Sequence, residues 1–239
     1  MNREYHRWYS NSLDRDMELL VFGHAGARVI VFPTSQGRFF QWEDMGMMAT
    51  LGERLENGQI QLYCVDSVDG ESWYAKYKHP ALRAQRHNQY DSYILNEVVT
   101  FSKQRNGNSF LMVTGTSFGA YHAANFAFRY PWLVDRCIGL SGFYDIRRFT
   151  EGYANDDVYF NNPIAFVGNE HDPARLEALR HMDIIFAIGR DDPSCPSNEK
   201  MSSVLWSKNV WHALRIWDGW AHDWPWWKQM IDIYINGYD

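Results

Sequence analysis

Five residues, Gly115-Thr116-Ser117-Phe118-Gly119, carry the sharpest chemical signal in the chain. They follow the apolar run Phe110-Leu111-Met112-Val113 and open onto Ala120-Tyr121-His122-Ala123-Ala124-Asn125-Phe126. The order is strand, tight turn, helix, with a serine at the tip. In such a G-x-S-x-G turn the glycines let strand and helix approach closely. The serine takes a strained backbone conformation and points its Oγ out of the sheet. A serine hydroxyl is a weak nucleophile at neutral pH. It needs a base to take its proton and a third group to orient that base.

Partners of the right type follow later in the chain, each just past an apolar strand run. Asp183-Ile184-Ile185-Phe186-Ala187-Ile188 ends in Gly189-Arg190-Asp191-Asp192-Pro193, and Ala213-Leu214-Arg215-Ile216-Trp217 ends in Asp218-Gly219-Trp220-Ala221-His222-Asp223-Trp224. His222 is the expected base, hanging over the sheet edge before the last helix. His122 lies one turn into the helix after Ser117 and is expected to pack there. The other histidines lack a strand-end position, and none shows H-E-x-x-H spacing, so no metal site is expected. Asp191 and Asp192 compete for the acid. Asp192, fourth in Gly-x-x-Asp, is favoured, with Asp191 solvated or capping. Asp223 is too close to His222 in sequence to orient it. An oxyanion needs two donors. The N–H of Phe118 is one candidate. The other is expected from the loop Pro33-Thr34-Ser35-Gln36-Gly37, with Ser35 first and Gln36 next.

These groups need a sheet to hold them. Met17 to Phe22 and Arg28 to Phe32 read as strands joined by the turn Gly23-His24-Ala25-Gly26, a hairpin. Further strands are expected at Gln59 to Val65, Phe110 to Thr114, Arg136 to Leu140, Asp183 to Ile188 and Ala213 to Trp217. Helices are expected at Glu43 to Leu55, Pro80 to Gln104, Phe118 to Arg129, Ser197 to Lys208 and Trp224 to Ile235. Strands alternating with helices predict an α/β fold: a mostly parallel central sheet with helices on both faces, in a single domain spanning 1–239. Residues 143–172 break the alternation. They read either as an excursion that helps form a pocket over the C-terminal sheet edge or as an ordinary surface loop.

Composition sets the outer bounds. The chain has 239 residues, 46% apolar and 22% charged, as expected of a globular enzyme with a substantial core. A net charge of −6 without a basic run argues against nucleic acid or an anionic membrane surface as partner. Cys64, Cys137 and Cys195 are scattered, an odd set that fits a reducing compartment, and Cys64 and Cys137 lie in or beside apolar strand runs as expected of inert buried thiols. The start of the chain lacks a signal-peptide h-region and no apolar run is long enough to span a bilayer, so a cytoplasmic location is expected. Eleven tryptophans suit either an aromatic pocket wall or bulky core filling. Trp73, Tyr144, Trp220 and Trp224 are the candidates for a pocket, with Gln36 beside them.

The chain resembles the esterase D-like branch of the α/β-hydrolases. The likeness rests on Gly-Thr-Ser-Phe-Gly, Gly-Arg-Asp-Asp-Pro, Gly-Trp-Ala-His-Asp-Trp and a strand ending in Phe-Pro-Thr-Ser. It runs from about Val29 to about Met230. Trp220-Ala221 stands where the branch often has two glycines, and Pro-Thr-Ser-Gln-Gly stands where a His-Gly-Gly type occurs. The resemblance implies Ser117 as nucleophile, His222 as base and Asp192 as acid. It implies small-molecule esters or thioesters as substrates, and no cofactor or metal. Acyl transfer with the same triad and a non-catalytic binding module are the alternative expectations. Fluorophosphonate labelling of Ser117 separates the last of these from an enzyme.

Overall fold

The structure is a computed structural model and describes residues 1–236. Its strands are β1 (Arg3–Ser10), β2 (Arg15–Phe22), β3 (Ala27–Phe32), β4 (Ile60–Val65), β5 (Leu111–Thr116), β6 (Arg136–Leu140), β7 (Asp183–Gly189) and β8 (Ala213–Trp217). They form one eight-stranded sheet in the order β1-β2-β4-β3-β5-β6-β7-β8. β1 and β2 are antiparallel to each other, β2 is antiparallel to β4, and all other neighbours are parallel.

The inner strands are almost continuously apolar because both of their faces are covered. Successive side chains point to opposite sides. In β3, Val29 and Val31 join one buried cluster while Ile30 and Phe32 join the other. β7 repeats this, with Ile184 and Phe186 on one side and Ile185 and Ala187 on the other.

Helices cover the two faces. In chain order they are α1 (Gln41–Asp44), α2 (Met47–Thr50), α3 (Gly52–Glu56), α4 (Pro80–Tyr93), α5 (Val99–Arg105), α6 (Phe118–Arg129), α7 (Asp156–Tyr159), α8 (Pro163–Gly168), α9 (Pro173–His181), α10 (Cys195–Ser207) and α11 (Trp224–Tyr234). α6 packs Ala123, Ala124 and Ala127 into one cluster. α11 packs Trp227, Met230 and Ile231 into the other.

Four local expectations are corrected. β2 and β3 are not a hairpin, because β4 lies between them. The turn from Gly23 to Gly26 crosses the start of β4, and a Cβ on Gly26 would lie 2.1 Å from the carbonyl carbon of Gln59. The true hairpin partner of β2 is β1, an edge strand whose charged and aromatic residues alternate in exposure. The helix expected from Glu43 to Leu55 is three separate short helices, interrupted at Gly46, which is left-handed with φ 74°. The helix expected from Pro80 to Gln104 runs on to Arg105 but contains a π-helical turn over Ile94–Val98. Finally, α9 lies where no helix is expected. Asp172 caps it by accepting from the N–H groups of Ala174 and Arg175.

Residues 143–172 fold as a 3-10 turn (Ile146–Phe149) followed by α7 and α8. Phe143, Ile146, Phe149 and Val158 bury themselves against Trp73, Phe118 and Tyr121. That cluster includes the residue directly after Ser117.

Candidate active site

Ser117 sits between β5 and α6 with φ 57° and ψ −117°, a strained conformation for a residue with a side chain. The glycines beside it are sterically required. A Cβ on Gly115 would lie 2.3 Å from the backbone of Gly119, and one on Gly119 would lie 2.4 Å from the carbonyl oxygens of Phe32 and Pro33. The N–H of Ser117 donates to the carbonyl of Leu140 on β6 at 2.8 Å, which fixes the turn against the sheet.

Three side chains from three loops converge here. His222 Nε2 lies 3.0 Å from Ser117 Oγ, and His222 Nδ1 lies 2.6 Å from Asp192 Oδ2. With a proton on Nδ1, the ring donates to Asp192 and accepts from the Ser117 hydroxyl. The second oxygen of Asp192 accepts from the N–H of Ser194 at 2.7 Å. The Asp192 side chain is 2% exposed and that of His222 23%, so the acid is shielded while the ring reaches solvent. Asp191, the competing carboxylate, is exposed, and its N–H donates to the carbonyl of Gly219. Asp223 accepts from the N–H of Trp224 and caps α11.

The loop bearing His222 is held from below. Ala221 has φ 42° and Ser141 has φ 51°. Ser141 Oγ donates to the carbonyl of Ala221 at 3.0 Å and accepts from Trp227 Nε1 at 2.9 Å. Ala221 thus holds a positive φ where a glycine would be at ease. Trp220 is 53% exposed and stacks on the His222 ring at 5.4 Å.

The loop after β3 forms a turn closed by Gly37 N–H donating to Thr34 C=O at 2.9 Å. The N–H of Thr34 donates to Gln41 Oε1, and that of Gln36 donates to Asp69 Oδ2, each at 2.8 Å. The backbone N–H of Gln36 is therefore taken, and the N–H of Ser35 is the backbone donor that remains in this turn. Phe118 is the first residue of α6, where an N–H lacks an intrahelical acceptor.

The aromatic candidates divide. Trp220 stands at the site. Trp224 is half-buried and packs on Trp227 at 5.0 Å, as the packing of α11 requires. Trp73 and Tyr144 are corrected, since both are fully buried. Trp73 packs beside His87, and Tyr144 lies against Phe186 at 4.4 Å. Sequence reasoning missed Tyr74, the neighbour of Trp73. Its hydroxyl donates to Ser35 Oγ at 2.7 Å, and its ring meets Phe118 and Phe149 at 5.1 Å each. Burial pushes this hydroxyl above its ordinary pKa, which keeps it a donor. It missed Asp69 as well. The sequence offered only two aspartates, Asp66 and Asp69, just past the strand ending at Val65. Cys64 and Cys137 are buried, and burial pushes both thiols well up, as inert core thiols.

Residues 10–234 match the family described as Putative esterase. The chain belongs to that family. As a member it is a carboxylic ester hydrolase with an α/β-hydrolase fold. No curated protein matches it in sequence. Solved structures match nearly its whole length. A ferulic acid esterase superposes with a TM-score of 0.78 at 15% identity, covering 98% of this chain and 96% of that one. S-formylglutathione hydrolase from Agrobacterium tumefaciens gives 0.77 at 14%, covering 98% and 93%. The fluorophosphonate-binding serine hydrolase F of Staphylococcus aureus gives 0.72 at 18%, covering 98% and 97%. At these identities the structures establish the shared fold. Among the described residues, no helix is long and apolar enough to cross a membrane.

Proposed function

We propose that this esterase is a serine carboxylesterase that hydrolyses small or medium carboxylic esters through an acyl-enzyme on Ser117. The observation that carries the reading is the continuous hydrogen-bonded line from Ser117 Oγ through His222 to Asp192, at 3.0 and 2.6 Å. A hydroxyl on a strained turn, a ring within reach of its proton and a shielded carboxylate behind the ring are the three parts that acyl transfer needs.

In this reading Ser117 Oγ attacks the ester carbonyl while its proton passes to His222 Nε2. Asp192 fixes the ring tautomer and stabilises the imidazolium. The N–H groups of Phe118 and Ser35 donate to the oxygen that becomes negative in the tetrahedral intermediate. The intermediate collapses, the C–O bond to the alcohol breaks, and the leaving alkoxide takes the proton from His222. Water then repeats the sequence on the acyl-serine, giving up a proton to His222 and releasing the acid and Ser117. Trp220, stacked on His222 and exposed, offers an aromatic face beside the base.

Hydrolysis of p-nitrophenyl acetate and butyrate tests this. Ser117→Ala is expected to fall to background, and Asp192→Asn to lose about three to four orders of magnitude in kcat. Asp191→Asn is expected to stay within about threefold, since surface changes away from the chemistry are small. Equal losses in Asp191→Asn and Asp192→Asn would contradict the assignment of the acid.

A further inference from the structure

Behind the turn that carries Ser35 lies a buried ionisable pair that the chemistry above does not use. Asp69 and His122 are each about 1% exposed at their side chains, and His122 Nε2 lies 2.8 Å from Asp69 Oδ1. The other oxygen of Asp69 accepts the Gln36 N–H at 2.8 Å. His122 belongs to α6, the helix that begins immediately after Ser117. Its ring meets Phe118 edge-on at 4.9 Å and stacks on Phe32, the last residue of β3, at 5.7 Å. One carboxylate thus ties the helix of the nucleophile to the turn bearing the second proposed oxyanion donor.

We propose that Asp69 and His122 are positioning residues that set the aim of the Ser35 N–H toward the substrate oxygen. This rests on the catalytic reading above.

Three observations argue for positioning over simple core filling. Gln36 holds φ 55°, which a non-glycine residue keeps only when its surroundings impose it, and the bond to Asp69 is the constraint on its amide. Because that amide is turned toward Asp69, the adjacent Ser35 N–H is the one left for a ligand. Second, a buried polar pair adds little stability over apolar packing of equal volume, whereas losing one partner leaves the other buried without its hydrogen bond. Third, both donors of the proposed oxyanion hole attach to this pair from opposite sides. Phe118 does so through its contact with His122, and Ser35 through its peptide link to Gln36. Displacement of a donor by about an ångström is enough to cost large factors in rate.

The test uses full-length protein with Asp69→Asn, His122→Ala and His122→Gln. Gln at 122 keeps an N–H within reach of Asp69, whereas Ala does not. Each variant is assayed for kcat and KM on p-nitrophenyl acetate. Each is then labelled with a fluorophosphonate, and the 31P chemical shift of the adduct, which reports hydrogen bonding to its phosphoryl oxygen, is recorded. Asp69→Asn and His122→Ala are expected to lower kcat by about tenfold or more with KM within about threefold, since the lost contact acts in the transition state. They should also move the 31P shift, and His122→Gln should stay with wild type in both. Folded variants that lose activity with an unmoved 31P shift, or that keep wild-type kcat, would overturn the proposal. So would His122→Gln behaving like His122→Ala. If Asp69→Asn does not fold, the His122 pair decides. Failure of the wild type to label at Ser117 sinks the catalytic reading itself, and this assignment with it.

Discussion

Trp73 and Tyr74 are adjacent in sequence and opposite in role. Trp73 is buried beside His87, while Tyr74 turns its hydroxyl to Ser35. Trp73→Ala should therefore cost about 3–5 kcal/mol of stability, the range for emptying a buried aromatic site. Tyr74→Phe removes one donor and should cost only about 1 kcal/mol. Its clearer effect is a several-fold fall in kcat, as the Ser35 turn loses one support. Denaturant midpoints and steady-state kinetics on the two variants check this, and equal stability losses would contradict it. The same pair marks the limit of sequence reading. Ser117, Asp192 and His222 were legible because each lies in a short stretch whose neighbours state its setting. Whether Trp73 or its neighbour faces the site depends on the path of the loop after β4, which no local pattern encodes. Tyr144 was misread for the same reason, since the backbone after β6 turns it down onto Phe186.

At the scale of elements, the site is made by loops held to one another. Arg190 N–H donates to the carbonyl of Trp217 and Asp191 N–H to that of Gly219, which zips the loop after β7 to the loop after β8. Gly189 permits the approach, because a Cβ there would lie 2.1 Å from the carbonyl oxygen of Trp220. Gly189→Ala should force the two loops apart, costing about 1–3 kcal/mol as overpacking does. It should lower kcat further than this destabilisation alone would, because His222 moves away from Ser117. Melting curves and kinetics check it, and a folded, fully active variant would contradict it. The inner strands and main helices could be read from sequence because apolar runs and 3.6-residue periodicity are local. The order of strands could not. The turn at Gly23 and Gly26 fits a hairpin equally well, and only the presence of β4 excludes one. Three short helices were read as one because Gly46 is tolerable in a helical pattern, whereas its left-handed φ is seen only in the structure.

Across the whole molecule, buried titratable groups couple stability to pH. Burial, with His122 and Arg129 nearby, holds the His87 imidazole well below its ordinary value. The unfolded chain takes a proton at this residue below about pH 6.5 while the folded one does not, so acidification favours unfolding. His212, lowered by burial, acts in the same direction. Burial raises the Asp91 and Asp66 carboxyls, which has the opposite sign and partly offsets the histidine effect. The melting temperature should therefore fall between about pH 7 and pH 5, and His87→Gln should flatten that fall. An unchanged slope in the variant would contradict the assignment.

The central claim is that the ester's acyl group passes through Ser117. The most direct measurement is acid-quenched mass spectrometry of the enzyme during turnover of p-nitrophenyl butyrate, with the adduct mapped by proteolysis. The account predicts a single butyryl group on the peptide holding Ser117, absent in Ser117→Ala. A butyryl group on any other residue, or hydrolysis that survives in Ser117→Ala, would contradict it.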